Sequence, residues 1–116
     1  MIFITNEDKQ NLKNKKLTES LILSCLVTCE SVISKNAYME KKWKNYCVLG
    51  DQSVGDDYKF IRLEWMGYRE KLRALLLPAH DMKEIIKLTK NCNIKASQKD
   101  VKEVISLIDT GDYTMM

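Results

Sequence analysis

The spacing of apolar residues between Leu17 and Ile33 constrains the fold of this chain more than any other feature. Two adjacent rows of apolar side chains recur there every three or four residues, as the turns of an α-helix require. One row is Leu21, Cys25, Cys29 and Val32, and the other is Ile22, Leu26, Cys29 and Ile33. The pattern predicts a central buried helix over residues 19–34, with Thr18 as its N-cap. A strand over residues 22–27 is the alternative, but apolar and polar residues alternate poorly there.

Weaker patterns predict further helices on both sides of this segment. Residues 7–15 read as an exposed helix with a single apolar anchor. Residues 36–49 read as a second helix, which ends before Gly50 because glycine favours the position after a helix. Near the C-terminus, Asp81 and Ser97 are each followed three residues later by an acid, which is the arrangement of a helix N-terminus.

A second apolar seam lies in the segment 58–77, which Pro78 ends. Its residues follow a helical spacing of four, three, four and three: Ile61, Trp65, Tyr68, Leu72 and Leu75. Three arginines fall off this seam and are expected to point to solvent: Arg62, Arg69 and Arg73. Residues 61–65 also alternate between apolar and charged side chains as in a strand. A hairpin over residues 46–66, turning at the Gly- and Asp-rich loop 50–57, is therefore the alternative.

Together these patterns predict an all-α fold, a compact bundle of five or six helices. The alternative is an α+β fold with the small hairpin at 46–66. A chain of 116 residues with 45% apolar content buries enough surface for one self-sufficient domain, residues 1–116. Residues 112–116 have no packing pattern and are expected to fray, whereas the apolar residues 1–4 are expected to form a short strand or to plug the core.

No group of residues has the pattern of a catalytic site or a cofactor site. The one histidine, His80, lies in a connection and has no partner that the sequence identifies. The adjacent carboxylates of Asp56 and Asp57 are more typical of helix capping than of acid–base catalysis. Glycine-rich phosphate loops and nucleophile elbows do not occur. We therefore predict that the protein is not an enzyme and that it uses neither a cofactor nor a metal.

The four cysteines are Cys25, Cys29, Cys47 and Cys92. The first two are four residues apart on a predicted helix, so their Cβ vectors run nearly parallel and form a disulfide poorly. The cysteines also lack the closely spaced pairs of a structural zinc site. We expect free, mostly buried thiols and hence a reducing, cytoplasmic location. Because no stretch approaches the roughly 18 apolar residues of a membrane span, we expect no membrane association.

The segment 58–77 is the first candidate for binding a macromolecule, because it has more large side chains than one core contact requires. If exposed, five of them would line a partner surface: Trp65, Met66, Tyr68, Arg69 and Arg73. We therefore predict a small cytoplasmic protein that binds a protein partner. Inhibitors, immunity proteins, adaptors and small phage or viral accessory proteins are of this kind. A homodimer formed through the same surface is an alternative.

The basic, aromatic helix 35–46 is the second candidate, and it points to nucleic acid. Lysines bind phosphate and aromatic rings stack on bases, and both kinds of side chain occur in Lys41, Lys42, Trp43 and Lys44. The net charge of +3 is small for a dedicated nucleic-acid domain. The structural alternative is that Trp43 and Tyr46 face the core while the lysines face water. A nucleic-acid-binding regulator is therefore the second function hypothesis.

Overall fold

The computed structural model describes residues 2–46 and 53–116, and the side chains of residues 2–43 and 55–116. The described residues form a compact bundle of five helices with four two-residue strands, which confirms the all-α prediction. The helices are α1 (Asn6–Lys13), α2 (Glu19–Tyr46), α3 (Ser53–Leu76), α4 (Met82–Asn91) and α5 (Gln98–Thr110). The strands are β1 (Ile2–Phe3), β2 (Lys16–Leu17), β3 (Ile94–Lys95) and β4 (Thr114–Met115).

Helix α2 is one continuous helix of 28 residues, about 42 Å long. The sequence predicted two helices here, 19–34 and 36–49. They join because no Gly or Pro interrupts the segment, and because the buried Asn36 donates its Nδ2 hydrogen to the Val32 carbonyl one turn earlier, at 2.8 Å. No helix in the described part of the chain has both the length and the hydrophobicity that crossing a bilayer requires.

Helix α3 begins at Ser53, so the alternative of a hairpin at 46–66 is wrong for residues 53–66, and residues 47–52 lie outside the described part. The described end of the predicted loop 50–57 is also helical, with Asp56 in its first turn. The strand-like alternation of residues 61–65 is overridden by helical packing. Trp65 and Leu72 share a face seven residues apart and are 2% and 0% exposed.

The hydrophobic core is centred on α2, as its apolar rows predicted. The residues of these rows from Leu21 to Val32 are all buried, and Ile33 is partly buried. The other helices supply one face each, with Leu72 from α3, Ile85 from α4 and Val104 from α5 all 0% exposed. Burying a leucine or isoleucine side chain contributes roughly 1.5–3 kcal/mol, so these contacts dominate the stability of the bundle.

The N-caps predicted for three helices are confirmed. Thr18 Oγ1 accepts from the Leu21 amide at 3.1 Å at the start of α2. Asp81 Oδ1 accepts from the Glu84 amide at 2.8 Å, and Ser97 Oγ accepts from the Asp100 amide at 3.1 Å. Each cap stabilises its helix by about 1 kcal/mol and fixes where the chain turns into it.

The two chain ends lie against the bundle in short parallel strand pairs. A short strand was one of the two alternatives for residues 1–4, and residues 2–3 form one that pairs with β3. The C-terminal residues differ from the expectation that 112–116 fray, because Thr114–Met115 pair with Lys16–Leu17. The Thr114 amide donates to the Lys15 carbonyl and the Met116 amide to the Leu17 carbonyl, both at 2.9 Å. These partners lie about 100 residues apart, so no local pattern reveals them.

Candidate functional site

The α2–α3 helical hairpin has a distal part in which no described side chain is buried. This part, residues 37–43 of α2 and 55–64 of α3, is called the hairpin tip below. Its large exposed apolar side chains are Tyr38, Trp43, Phe60, Ile61 and Leu63. Apolar side chains of this size mark interaction sites when they gather on one exposed region. The candidate binding surfaces described below therefore extend from the tip along α2 and α3.

One candidate surface lies on the side of α3 turned away from the core. Phe60 is 65% exposed and Leu63 is 46% exposed, and Gly67 follows them one turn further along. A Cβ atom added to Gly67 would meet nothing within 4 Å, so no packing within the described chain requires a glycine there. We call Phe60, Leu63 and Gly67 the α3 outer face. By helical spacing it lies opposite the buried Trp65 and Leu72.

A second candidate surface lies on the side of α2 turned away from the buried Asn36. Lys35, Tyr38 and Lys42 follow one another at spacings of three and four residues, so they share this side. Tyr38 is 65% exposed. Glu40 lies on the opposite side of the helix, where its Oε2 contacts Arg62 Nε at 2.9 Å. We call Lys35, Tyr38 and Lys42 the α2 outer face, which is basic and has one aromatic ring.

The residues that the sequence selected for partner binding are mostly not exposed. Trp65 is 2% exposed and lies in the core, where the ring of Tyr68 meets it edge-on at a centroid distance of 5.1 Å. The Tyr68 hydroxyl donates to Glu64 on its own helix. Met66 is half-buried, and its Sδ accepts from Arg62 at 3.6 Å. These residues were selected on the condition that they are exposed, and Trp65 does not meet this condition.

The prediction that the three arginines of α3 point to solvent is wrong. The exposed fractions of the side chains of Arg62, Arg69 and Arg73 are 24%, 19% and 15%. Arg69 Nη1 and Arg73 Nη2 both donate to Glu30 Oε1 on α2, each at 3.2 Å. The arginines therefore cross-link α2 to α3, because α2 presents acids opposite them. Since the paired residues are at least 22 positions apart, helical spacing within α3 does not reveal the pairing.

Glu30 is the acid on which two of these cross-links depend. Glu30→Gln would leave two half-buried guanidinium groups without their carboxylate, so we expect the free energy of unfolding to fall by about 1–2 kcal/mol. Glu70 is the matched control, since its contacts to Arg69 and Arg73 are longer, at 3.6 and 3.7 Å. We expect Glu70→Gln to change stability by less than about 0.5 kcal/mol in the same urea denaturation. Equal losses for both variants would contradict this assignment.

The residues selected for nucleic-acid binding do not all share one surface. Lys41 and Lys42 are exposed, and the side chain of Lys44 lies outside the described residues. Trp43 is 37% exposed, but it lies seven residues after the buried Asn36 and so continues that side of the helix. The aromatic ring beside the lysines is instead Tyr38, which the sequence analysis did not select. Its helical spacing from the neighbouring lysines is the signal that identifies it.

His80 bridges two helices, and its described partners are two carboxylates. Its Nδ1 lies 3.0 Å from Glu84 Oε2 on α4, and its Nε2 lies 2.9 Å from Glu19 Oε1 at the start of α2. The hydrogen bond to Glu84, followed by that to Glu19, raises the pKa of His80 above its usual 6.5. With both ring nitrogens occupied by carboxylates, the imidazolium joins α4 to α2.

This arrangement makes stability depend on pH in a defined direction. The pKa of His80 is higher in the folded state than in the unfolded state, so the charged bridge contributes its full stabilisation below the unfolded-state pKa. This stabilisation is lost as the pH rises through the folded-state pKa. We expect the melting temperature of His80→Gln to fall further below that of the wild type at pH 6 than at pH 9. Glu84→Gln, which removes the largest cause of the shift, should reduce this pH dependence. If the melting temperature of His80→Gln lies equally far below that of the wild type at both pH values, the charged bridge is contradicted.

The described cysteines are free, and two of them lie in the core. Cys25 and Cys29 are fully buried, and Cys92 is half-buried. Burial is the main cause that raises the pKa of both buried thiols, for Cys29 to about 12. Since the thiolate is the nucleophile, burial disfavours the reactive form of both thiols. They fill core space as small apolar side chains, as predicted, whereas Cys47 lies outside the described residues.

The chain was compared with protein-family models, with curated proteins and with solved structures. No family model, no curated protein and no solved structure matches it. The two outer faces and the cross-links described above are therefore the basis on which its function is inferred.

Proposed function

We propose that this protein acts by binding a protein partner through the α3 outer face. The observation that carries the proposal is the exposure of Phe60 and Leu63, 65% and 46%, on the side of α3 that no described element covers. Exposed aromatic and aliphatic side chains in one row serve as anchors when a partner buries them. This surface replaces the five residues that the sequence selected, which are buried or half-buried: Trp65, Met66, Tyr68, Arg69 and Arg73.

The geometry of this face favours a helix as the contacting element of the partner. Phe60, Leu63 and Gly67 follow a three-then-four spacing, as in a coiled-coil seam. At Gly67 the absence of a side chain allows a second helix to approach the backbone closely. The flanks of the seam have charges of both signs, including Lys59 and Glu64. The partner surface is therefore an amphipathic helix with an apolar row bordered by charges of both signs.

A protein that works in this way needs no catalytic group, and it acts by occupying a surface of its partner. Inhibitors, immunity proteins and accessory or adaptor proteins function by such occupation. A reducing, cytoplasmic setting is part of the proposal, because the sequence does not have the short, loop-rich, cysteine-dense character of small secreted domains. A second copy of this chain is the alternative occupant of the face, and the experiment below distinguishes it.

Differential affinity capture tests the proposal. Tagged wild type and Leu63→Glu are incubated with lysate of the source cells, and Leu77→Glu serves as the control because it places the same charge at another exposed leucine. We expect one protein to be retained by the wild type and by Leu77→Glu but not by Leu63→Glu, and to rebind after purification. If Leu63→Glu retains the same proteins, the proposal fails. If sedimentation shows that the wild type is a dimer and that Leu63→Glu is a monomer, the face is assigned to self-association.

The α2 outer face favours a second candidate function, nucleic-acid binding. Among the described side chains, none of the ion pairs involves Lys35 or Lys42, and Tyr38 stands exposed between them. Lysines beside an exposed ring combine phosphate contact with base stacking. Fluorescence anisotropy with labelled single-stranded DNA tests this candidate. Saturable binding that weakens steeply with salt and is lost in Lys42→Glu, but not in Lys102→Glu, would support it. Weak binding that does not saturate would exclude it.

A further inference from the structure

A cleft of about 380 Å³ lies near the other end of the hairpin, where α2, α3 and α4 meet. Val27 lines it from α2, Arg73 from α3, and Ile86 and Lys90 from α4. Pockets that bind small ligands are commonly of this size and lie between the helices of bundles. The cleft is separate from the α3 outer face, so an inference about it does not depend on the proposed function.

The lining of the cleft has an apolar part and a cationic part. Val27 and Ile86 form apolar walls, and Ile86 is 37% exposed although it lies on a helix with a buried apolar face. Arg73 and Lys90 supply two positive charges against the single negative charge of Glu30. The cleft therefore offers apolar contact together with a net positive charge.

Arg73 contacts two carboxylates and keeps donors beyond these contacts. A guanidinium has five N–H groups, of which Nη2 donates a hydrogen bond to Glu30, while Nη1 lies 3.7 Å from Glu70 Oε1. The Nε of Arg73 is buried and has no partner among the described residues. Buried donors without an acceptor are rare in folded proteins, and a carboxylate is the acceptor that a guanidinium binds best. Its terminal nitrogens keep N–H groups beyond the hydrogen bond to Glu30, and Arg73 lines the cleft together with Lys90.

We propose that this cleft binds a small amphipathic anion, a molecule with an apolar body and one carboxylate. The apolar body lies between Val27 and Ile86, and the carboxylate accepts hydrogen bonds from Arg73 and Lys90. Two sources supply this chemistry, a free aliphatic acid and the C-terminal carboxylate of an apolar peptide. Both present the same groups to the cleft, so the experiment includes one probe for each source.

Titrations of ¹⁵N-labelled full-length protein followed by amide chemical shifts test the proposal. The probes are octanoate, octylamine, which has the same apolar body with the opposite charge, and N-acetyl-leucyl-leucine with a free carboxylate. We expect saturable shifts at Val27, Ile86 and Lys90 with at least one of the two carboxylates. Octylamine should bind at least about tenfold more weakly, since the lining has a net positive charge. Whichever carboxylate binds more tightly identifies the source.

Paired variants separate the cleft from general effects of charge. Lys90→Glu is expected to weaken carboxylate binding at least about tenfold, whereas Lys87→Glu, the same change at an exposed lysine outside the cleft, leaves it unchanged. Ile86→Glu should abolish binding, with Leu77→Glu as its control. All four positions are exposed, so the variants should fold, which circular dichroism checks. The proposal is overturned if neither carboxylate binds, if octylamine binds equally well, or if Lys87→Glu weakens binding as much as Lys90→Glu.

Discussion

Replacing Leu72 with alanine is expected to lower the free energy of unfolding by about 3–4 kcal/mol. Leu72 is 0% exposed and belongs to the row of α3 side chains that packs into the core. The substitution removes buried apolar surface and leaves a cavity that the surrounding helices fill only in part. A domain of this size is stable by roughly 5–15 kcal/mol, so the loss is a large share of the total. Urea denaturation measures this loss, provided that the slope of the free energy of unfolding against urea concentration is the same for the variant and the wild type.

Leu63→Ala is the matched control, because it is the same substitution on the same helix at a position that is 46% exposed. We expect it to change stability by less than about 0.5 kcal/mol, as most surface substitutions do. Equal destabilisation by both variants would mean that Leu63 packs within the chain, and it would remove the basis for the α3 outer face.

The second large effect concerns binding. We expect Phe60→Glu to weaken affinity for the captured protein partner by at least about 100-fold, or about 2.7 kcal/mol. The reason is that Phe60 is 65% exposed in the free protein, so the partner buries its ring and a carboxylate there would lose its water. Isothermal titration calorimetry with the purified partner measures the change, and the stability of the variant should match that of the wild type.

Leu77→Glu controls for the added charge, since Leu77 is also exposed but lies beyond the end of α3 and off its outer face. It should bind the partner as the wild type does. An affinity loss of similar size in both variants would indicate a non-specific effect of negative charge, and it would contradict the assignment of the anchor to Phe60.

The helices were predictable from the sequence because their signals are local. Apolar residues three and four positions apart marked the core face of α2, and cap residues such as Ser97 marked helix starts within a few positions. The same local reasoning predicted a break near residue 35 that does not exist. Asn36 is polar and buried, and only the hydrogen bond to Val32 shows how a helix accommodates it.

Contacts between distant parts of the chain were not predictable, and they decide the candidate site. The charge of Arg69 suggested solvent exposure, whereas its burial depends on Glu30, which is 39 positions away. Trp65 and Phe60 both belong to an aromatic-rich segment, and composition favoured Trp65. The helical seam already grouped Trp65 with Leu72 and left Phe60 off it. The packing of α3 against the core shows that the seam is the buried side, so the tryptophan is core and the phenylalanine is exposed.

Site-specific photocrosslinking in the source cells tests the central claim, that the α3 outer face contacts a protein partner, most directly. A photoreactive phenylalanine analogue is placed at position 63 in one variant and at position 77 in another. Illumination is expected to yield an adduct with one partner protein from position 63 and none from position 77. No adduct from position 63, or the same adducts from both positions, would contradict the claim.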